Sequence, residues 1–96
     1  MPVSLTPRER AHLKARAHAF EPRVQVGQAG LSDAVVKEID RALTAHELIK
    51  VKILAERDAR REIADAISTR TDSAQVHSVG KVVVLWRPNP EERPET

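Results

Sequence analysis

Apolar positions recur along the chain with two periods, which predict alternating helices and strands. Helical spacing predicts a first helix up to about Ala19, and Thr6-Pro7-Arg8-Glu9 supplies its N-cap, first-turn proline and capping-box glutamate. Two further helices are predicted over 32–46 and 58–70. The expected buried positions are Leu13 and Ala17 in the first helix, Val35, Ile39, Ala42 and Leu43 in the second, and Ala59, Ile63, Ala66 and Ile67 in the third.

Extended segments are predicted over 23–26, 48–54, 75–79 and 81–87. Val82–Leu85 is continuously apolar, as expected of a strand that is buried on both faces, and Gly80 suits a type II′ hairpin turn. The order α-β-α-β-α-β-β therefore predicts a single α/β domain with three helices and a four-stranded mixed sheet. We place this domain at 1–88 and expect the proline- and glutamate-rich segment 89–96 to be disordered.

Composition narrows the class of protein. The 96 residues suffice for one domain, and the absence of cysteine excludes disulfide and zinc-thiolate chemistry. No apolar run approaches the ~20 residues of a membrane span and no signal-peptide pattern is visible, so we expect a cytoplasmic location without membrane association. We also expect a monomer. Residues 1–87 hold 15 basic and 11 acidic side chains, which indicates an anionic partner.

The segment from Gly27 to Ser32 is the most distinctive motif. A strand runs into Gly27-Gln28-Ala29-Gly30, and Ser32 is a suitable N-cap for the helix that follows. Such a loop offers backbone N–H groups at the positive end of a helix, which is a phosphate-binding geometry. The alternative is that the two glycines only form a tight turn. A P-loop or Rossmann fingerprint is absent.

Basic residues near this motif support a phosphate-binding function. Arg10, Lys14 and His18 stand at i, i+4 and i+8, and so form one stripe on the first helix, while Lys37 and Arg87 add positive charge elsewhere. The alternative is an ordinary solvated face. Phe20 and Trp86 are the only phenylalanine, tyrosine or tryptophan residues, so nucleic-acid recognition would depend on phosphates and backbone shape. Trp86 is either core or a stacking surface.

Catalytic signatures are lacking. The four histidines are scattered, no His-x-x-x-His pair occurs, and the serines and threonines have no evident base beside them. We therefore expect neither an enzyme nor a metal, cofactor or small-molecule substrate.

The chain closely resembles the CRM domain in its stand-alone bacterial, YhbY-type form. The resemblance covers about residues 5–88 in one continuous register, and several segments carry it. These segments are His12-Leu13-Lys14, Ala17-His18, Gly27–Ser32, His46–Lys52, Val79-Gly80-Lys81 and Leu85–Pro88. The resemblance implies a fold similar to the C-terminal domain of translation initiation factor 3, RNA binding through the loop at Gly27–Gly30, and association with precursors of the large ribosomal subunit. The implied role is ribosome maturation.

Two departures qualify the resemblance. The middle of the loop is Gln28-Ala29, where the family often has basic or polar residues, so backbone contacts survive but a salt bridge from the loop does not. Trp86 stands where tyrosine is common. A competing hypothesis is a protein–protein adaptor that docks the basic helix on an acidic partner.

Overall fold

A computed structural model describes residues 5–88; the predicted disordered tail at 89–96 lies outside the described residues. The predicted order of elements is confirmed. The elements are α1 (Pro7–Ala17), β1 (Val24–Val26), α2 (Asp33–His46), β2 (Leu48–Ile53), α3 (Arg57–Thr71), β3 (Ala74–Val79) and β4 (Val82–Trp86).

Local signals account for several of these boundaries. Thr6 and Glu9 form the predicted capping box at the start of α1, and Ser32 Oγ accepts a hydrogen bond from Val35 N–H (3.2 Å) at the start of α2. Gly80 has a φ of 56°, in keeping with the two-residue turn between β3 and β4. Asp72 ends α3 in the left-handed conformation.

The sheet has the strand order β1-β2-β4-β3, with β1 parallel to β2 and with β4 antiparallel to both of its neighbours. Since β1 and β2 are parallel, the segments that follow them lie at one edge of the sheet. Leu54 N–H donates to Val26 O (2.9 Å), and Ile53 N–H donates to Lys81 O (2.7 Å). The loop after β1, the segment after β2 and the β3–β4 turn therefore share that edge.

The strands separate two cores. Helices α2 and α3 cover one face, where Ile39 and Leu43 pack on Ile49, Val51 and Leu85. Helix α1 covers part of the other face, and its cluster comprises Leu13, Ala17, Leu48, Val76 and Val84, with Leu5, Phe20 and Trp86 packed against it. Trp86 is thus a partly buried member of this second core, which favours the core interpretation over a stacking surface.

One of the predicted buried positions of the third helix is wrong. Ala59 is exposed, because burial begins one turn later at Ile63 and Ala64 and continues through Ile67. The helix also begins at Arg57, one residue before the predicted start, and no side chain caps it. The weak start signal in the sequence corresponds to this uncapped helix.

Candidate nucleic-acid interface

The loop after β1 is a hydrogen-bonded turn. Gly30 N–H donates to Gly27 O (3.0 Å), so one of the amides that the sequence suggested for a ligand is already occupied. Gln28 and Ala29 lie exposed at the tip, and within residues 5–88 their N–H groups make no hydrogen bond. The surface available to a phosphate is therefore the pair of amides at the tip.

The two glycines have different roles. Gly30 adopts a φ of +95°, which L-residues rarely adopt, so the turn itself requires glycine here. Gly27 has no such conformation, and a Cβ added to it would meet no atom within 4 Å. The fold therefore does not require glycine at position 27. Its lack of a side chain instead leaves the backbone of the loop accessible.

The α2 N-terminus behind the loop carries one opposing charge. Asp33 is the first residue of α2, and its carboxylate forms an exposed salt bridge with Arg70 (2.7 Å). A negative charge here would compete with a phosphate for the helix terminus. The salt bridge partly neutralises Asp33, so the helix end remains compatible with an anion.

The basic stripe of α1 lies along β3. The Arg10 guanidinium donates to the carbonyl oxygens of Gln75 and Val76 (3.1 Å for the latter). Arg10 is exposed, so its charge is available at the surface, and its side chain also anchors α1 to the sheet. Lys14 and His18 are exposed, and no such anchoring contact of theirs is found in the described chain.

His77 joins this stripe because β3 contains a bulge. The register of β3 on β4 shifts between Gln75 and His77, so that His77 lies opposite Val84 on the α1 face. Partial burial lowers the pKa of His77, and the positive charges of Lys14 and His18 lower that pKa further. No feature of the sequence marks the bulge, and His77 was accordingly missed as a site residue.

Two lysines extend the basic surface across the sheet. Lys50 and Lys52 alternate with the buried residues of β2 and so point to the α1 face, and Lys50 Nζ donates to Phe20 O (2.9 Å). Their alternation was visible in the sequence. The sequence did not show which helix covers that face, and the two lysines were therefore not predicted as site residues.

The remaining two predicted residues lie apart from this face. Lys37 is exposed on α2, one turn beyond Asp33. Arg87 follows β4 and donates to the Asp40 carboxylate (2.6 Å), the Thr71 carbonyl (2.8 Å) and the Thr44 hydroxyl (2.8 Å). These contacts join the end of the sheet to α2 and α3. They give Arg87 a structural role, and we therefore do not count it among the residues of the α1 face.

The charged side chains of the sheet on this face are all basic. None of the four strands contains an aspartate or glutamate. Helix α1 contains one carboxylate, Glu9, whose Oε1 accepts a hydrogen bond from Thr6 N–H (2.9 Å).

No helix in the described part of the chain is long and apolar enough to cross a membrane. Within residues 5–88, no three histidine, aspartate or glutamate side chains form a group that could hold a metal ion.

Fold and surface together define a small α/β domain with one basic, half-covered sheet face and an exposed glycine loop at its edge. The family model described as the CRS1/YhbY (CRM) domain matches residues 5–87. The chain belongs to this family.

Individual relatives agree with that assignment. An RNA-binding protein of Haemophilus influenzae is 41% identical over 90 residues, which cover 93% of this chain and 91% of that protein. The probable RNA-binding protein YqeI of Bacillus subtilis is 33% identical over 93% of this chain and 94% of its own length. The solution structure of SAV1595 from Staphylococcus aureus, a hypothetical protein suggested to bind RNA, superimposes with a TM-score of 0.83 at 33% identity and covers 94% of this chain and 95% of that one.

Proposed function

We propose that this protein binds RNA through its phosphate backbone, and that it contributes to maturation of the large ribosomal subunit. The binding surface consists of the Gly27–Gly30 loop, Lys14 and His18 on α1, and Lys52 and His77 on the sheet. Arg10 adds positive charge at its margin, and Lys37 adds positive charge on α2, one turn beyond Asp33 at the helix end behind the loop. The observation that carries the proposal is the exposed pair of amides at Gln28 and Ala29, beside a sheet whose strands contain no aspartate or glutamate.

Physical chemistry favours a phosphate ligand for such a surface. Backbone N–H groups donate to phosphate oxygens without reading sequence, and lysines neutralise neighbouring phosphates as point charges. The surface offers no phenylalanine, tyrosine or tryptophan ring, because the chain has no tyrosine and Phe20 and Trp86 both pack against the α1 core. The names of the Haemophilus and Bacillus relatives support RNA as the ligand. The role in the large subunit rests on the resemblance to YhbY-type proteins.

Salt dependence tests RNA binding. If four to six phosphates are neutralised, the logarithm of affinity should fall with the logarithm of salt concentration at a slope of about −3 to −4 for single-stranded RNA. Lys14→Glu should lower the affinity for unrelated RNAs by roughly tenfold, since the change removes one favourable charge and adds a repulsive one. Fluorescence anisotropy at several salt concentrations measures both quantities.

Arg16→Glu is the matched control. Arg16 is two residues from Lys14 on the same helix, so the two side chains are about 200° apart around the helix axis. The substitution Arg16→Glu makes the same change of charge as Lys14→Glu. We expect it to alter RNA affinity much less. Equal losses in both variants would show that only net charge matters, and affinity that does not depend on salt would favour the adaptor hypothesis.

Association with ribosome precursors is tested in cells. We expect the protein to co-sediment with precursors of the large subunit, and we expect its loss to increase the precursor fraction in a sucrose gradient. A version carrying Lys14→Glu should shift toward the free protein pool. An unaltered subunit profile after loss, with the protein confined to that free pool, would contradict the role in maturation while leaving RNA binding intact.

A further inference from the structure

One row of side chains crosses all four strands near the loop edge of the sheet. The register pairs Gln25 with Lys52, Lys52 with Val82, and Val82 with Val79. Because directly paired residues point to the same face, these four side chains lie on the α1 face. With strands ~4.8 Å apart, the row is about 14 Å long. We call it the sheet-face row.

Helix α1 does not reach the sheet-face row. The apolar cluster beneath α1 contains Leu48, Val76 and Val84, which belong to the other half of this face, and none of the four row residues. Gln25 is exposed, and Val79 is 62% exposed, a high value for a valine within a strand. Lys52 and Val82, in the middle of the row, are half-buried. In the described chain, this part of the sheet face is therefore only partly covered, with an apolar end at Val79 and Val82.

The row also connects the two parts of the proposed RNA surface. Gln25 is two residues from Gly27, so one end of the row adjoins the glycine loop. Val79 follows His77 by two residues on the same strand face, and His77 lies beside Lys14 and His18. A strand of RNA that contacts both the loop and the stripe of α1 would cross the row.

The composition of the row points to one form of RNA. Lys52 can pair with a phosphate, and Gln25 can bond with a ribose hydroxyl or a base edge. The exposed Val79 and the half-buried Val82 add nothing to the binding of a phosphate, and they are useful only if apolar ligand surface reaches them. A duplex presents mainly phosphates and 2′-hydroxyls and keeps its base faces stacked, whereas an unpaired strand can lay bases and riboses on a flat sheet.

We infer that the sheet-face row holds the bases and riboses of unpaired RNA, and that the protein therefore prefers single-stranded RNA to duplex. The inference rests on the proposed RNA-binding function and specifies its substrate class. Four-stranded sheets elsewhere seat two or three bases on aromatic residues of the sheet. The sheet-face row has valines and no such ring. The valines predict a preference that is weaker than that of an aromatic platform, and one that an added aromatic ring strengthens.

A gain of affinity tests the inference. Val79→Tyr places a ring on the row at an edge-strand position where tyrosine is well accommodated. It should increase affinity for a short unstructured single-stranded RNA about five- to a hundredfold, as expected for one stacked base. Affinity for the same strand annealed to its complement should stay nearly constant. Binding is measured for both RNAs at one salt concentration.

Ser78→Tyr is the matched control, since it adds the same ring one residue earlier on the opposite face of β3. It should raise neither affinity. A second variant does not depend on adding bulk: Lys52→Gln should reduce the salt slope for single-stranded RNA by about 0.7, the loss of one phosphate contact.

The outcomes separate the two proposals. If the wild-type protein binds RNA in a salt-dependent way, but folded Val79→Tyr and Lys52→Gln both bind as the wild type does, the sheet-face row is not a contact and this inference is wrong. Equal gains for duplex and single strand in Val79→Tyr would also overturn it. If the wild-type protein binds no RNA, both this inference and the proposed function fail.

Discussion

Replacing Ala29 with aspartate should lower RNA affinity by roughly ten- to a hundredfold while leaving the melting temperature nearly unchanged. The new carboxylate would lie at the tip of the loop, where it repels a phosphate within a few ångströms and competes for the amides of Gln28 and residue 29. Like charges ~4 Å apart at a protein surface cost a few kcal/mol at most, and 1.4 kcal/mol corresponds to a factor of ten. The fold should tolerate the change, because Ala29 is exposed.

The matched control is Ala59→Asp. Ala59 is also exposed, lies in the first turn of α3, and acquires the same charge near a helix N-terminus. It sits on the helical layer that covers the other face of the sheet, so RNA affinity should change little. Melting temperature and affinity are measured on the same samples at one salt concentration. Unchanged affinity in folded Ala29→Asp protein would exclude the loop as an RNA contact and would support the interpretation of Gly27–Gly30 as a simple turn.

Arg87→Ala should destabilise the protein by about 2 kcal/mol, which lowers the melting temperature of a domain of this size by roughly 8–16 °C. The Arg87 side chain is 19% exposed and bonds to α2 through Asp40 and Thr44, and to the end of α3 through Thr71. Without the Arg87 side chain, these acceptors bond only with water, and the end of β4 loses its side-chain hydrogen bonds to both helices. We discount the ion pair itself because Asp40 is 55% exposed.

Arg41→Ala provides the comparison for Arg87. Arg41 is next to Asp40 on the same helix but exposed, and surface changes of this kind usually fall within about 0.5 kcal/mol. RNA affinity of folded Arg87→Ala, measured well below its melting temperature, should match that of the wild type. A stable Arg87→Ala protein with weakened RNA binding would restore Arg87 to the RNA surface and contradict the structural role.

The order of elements could be predicted from the sequence because its signals are local. The capping box at Thr6, the Ser32 cap and the turn at Gly80 each act within a few residues, and the two periods of apolar residues separate helix from strand. The mixed sheet followed from the order of elements, since strands joined by a helix run parallel to each other and a two-residue turn makes an antiparallel pair. The exposed Ala59 shows the limit: periodicity selected the face of α3, but not where along the helix burial begins.

The candidate site was predicted only in part. The loop and the stripe of Arg10, Lys14 and His18 are contiguous motifs, so spacing alone was enough to propose them. Arg87 was proposed on charge alone, and its partners are 16 to 47 residues away in sequence. No local pattern distinguishes an arginine that binds a phosphate from one that binds a distant carboxylate.

Strand order and helix placement account for what sequence reasoning missed. Because β4 lies between β2 and β3, Lys52 is placed beside the Val79–Val82 pair of the hairpin, although Lys52 is far from both valines in the sequence. A bulge then turns His77 toward α1, and α1 stops short of the loop edge. Local propensity and periodicity, which depend on neighbours a few residues apart, thus specified the elements and the glycine loop. The partly covered sheet face exists only because long-range pairing brings separate strands together, and a single sequence carries no direct record of that pairing.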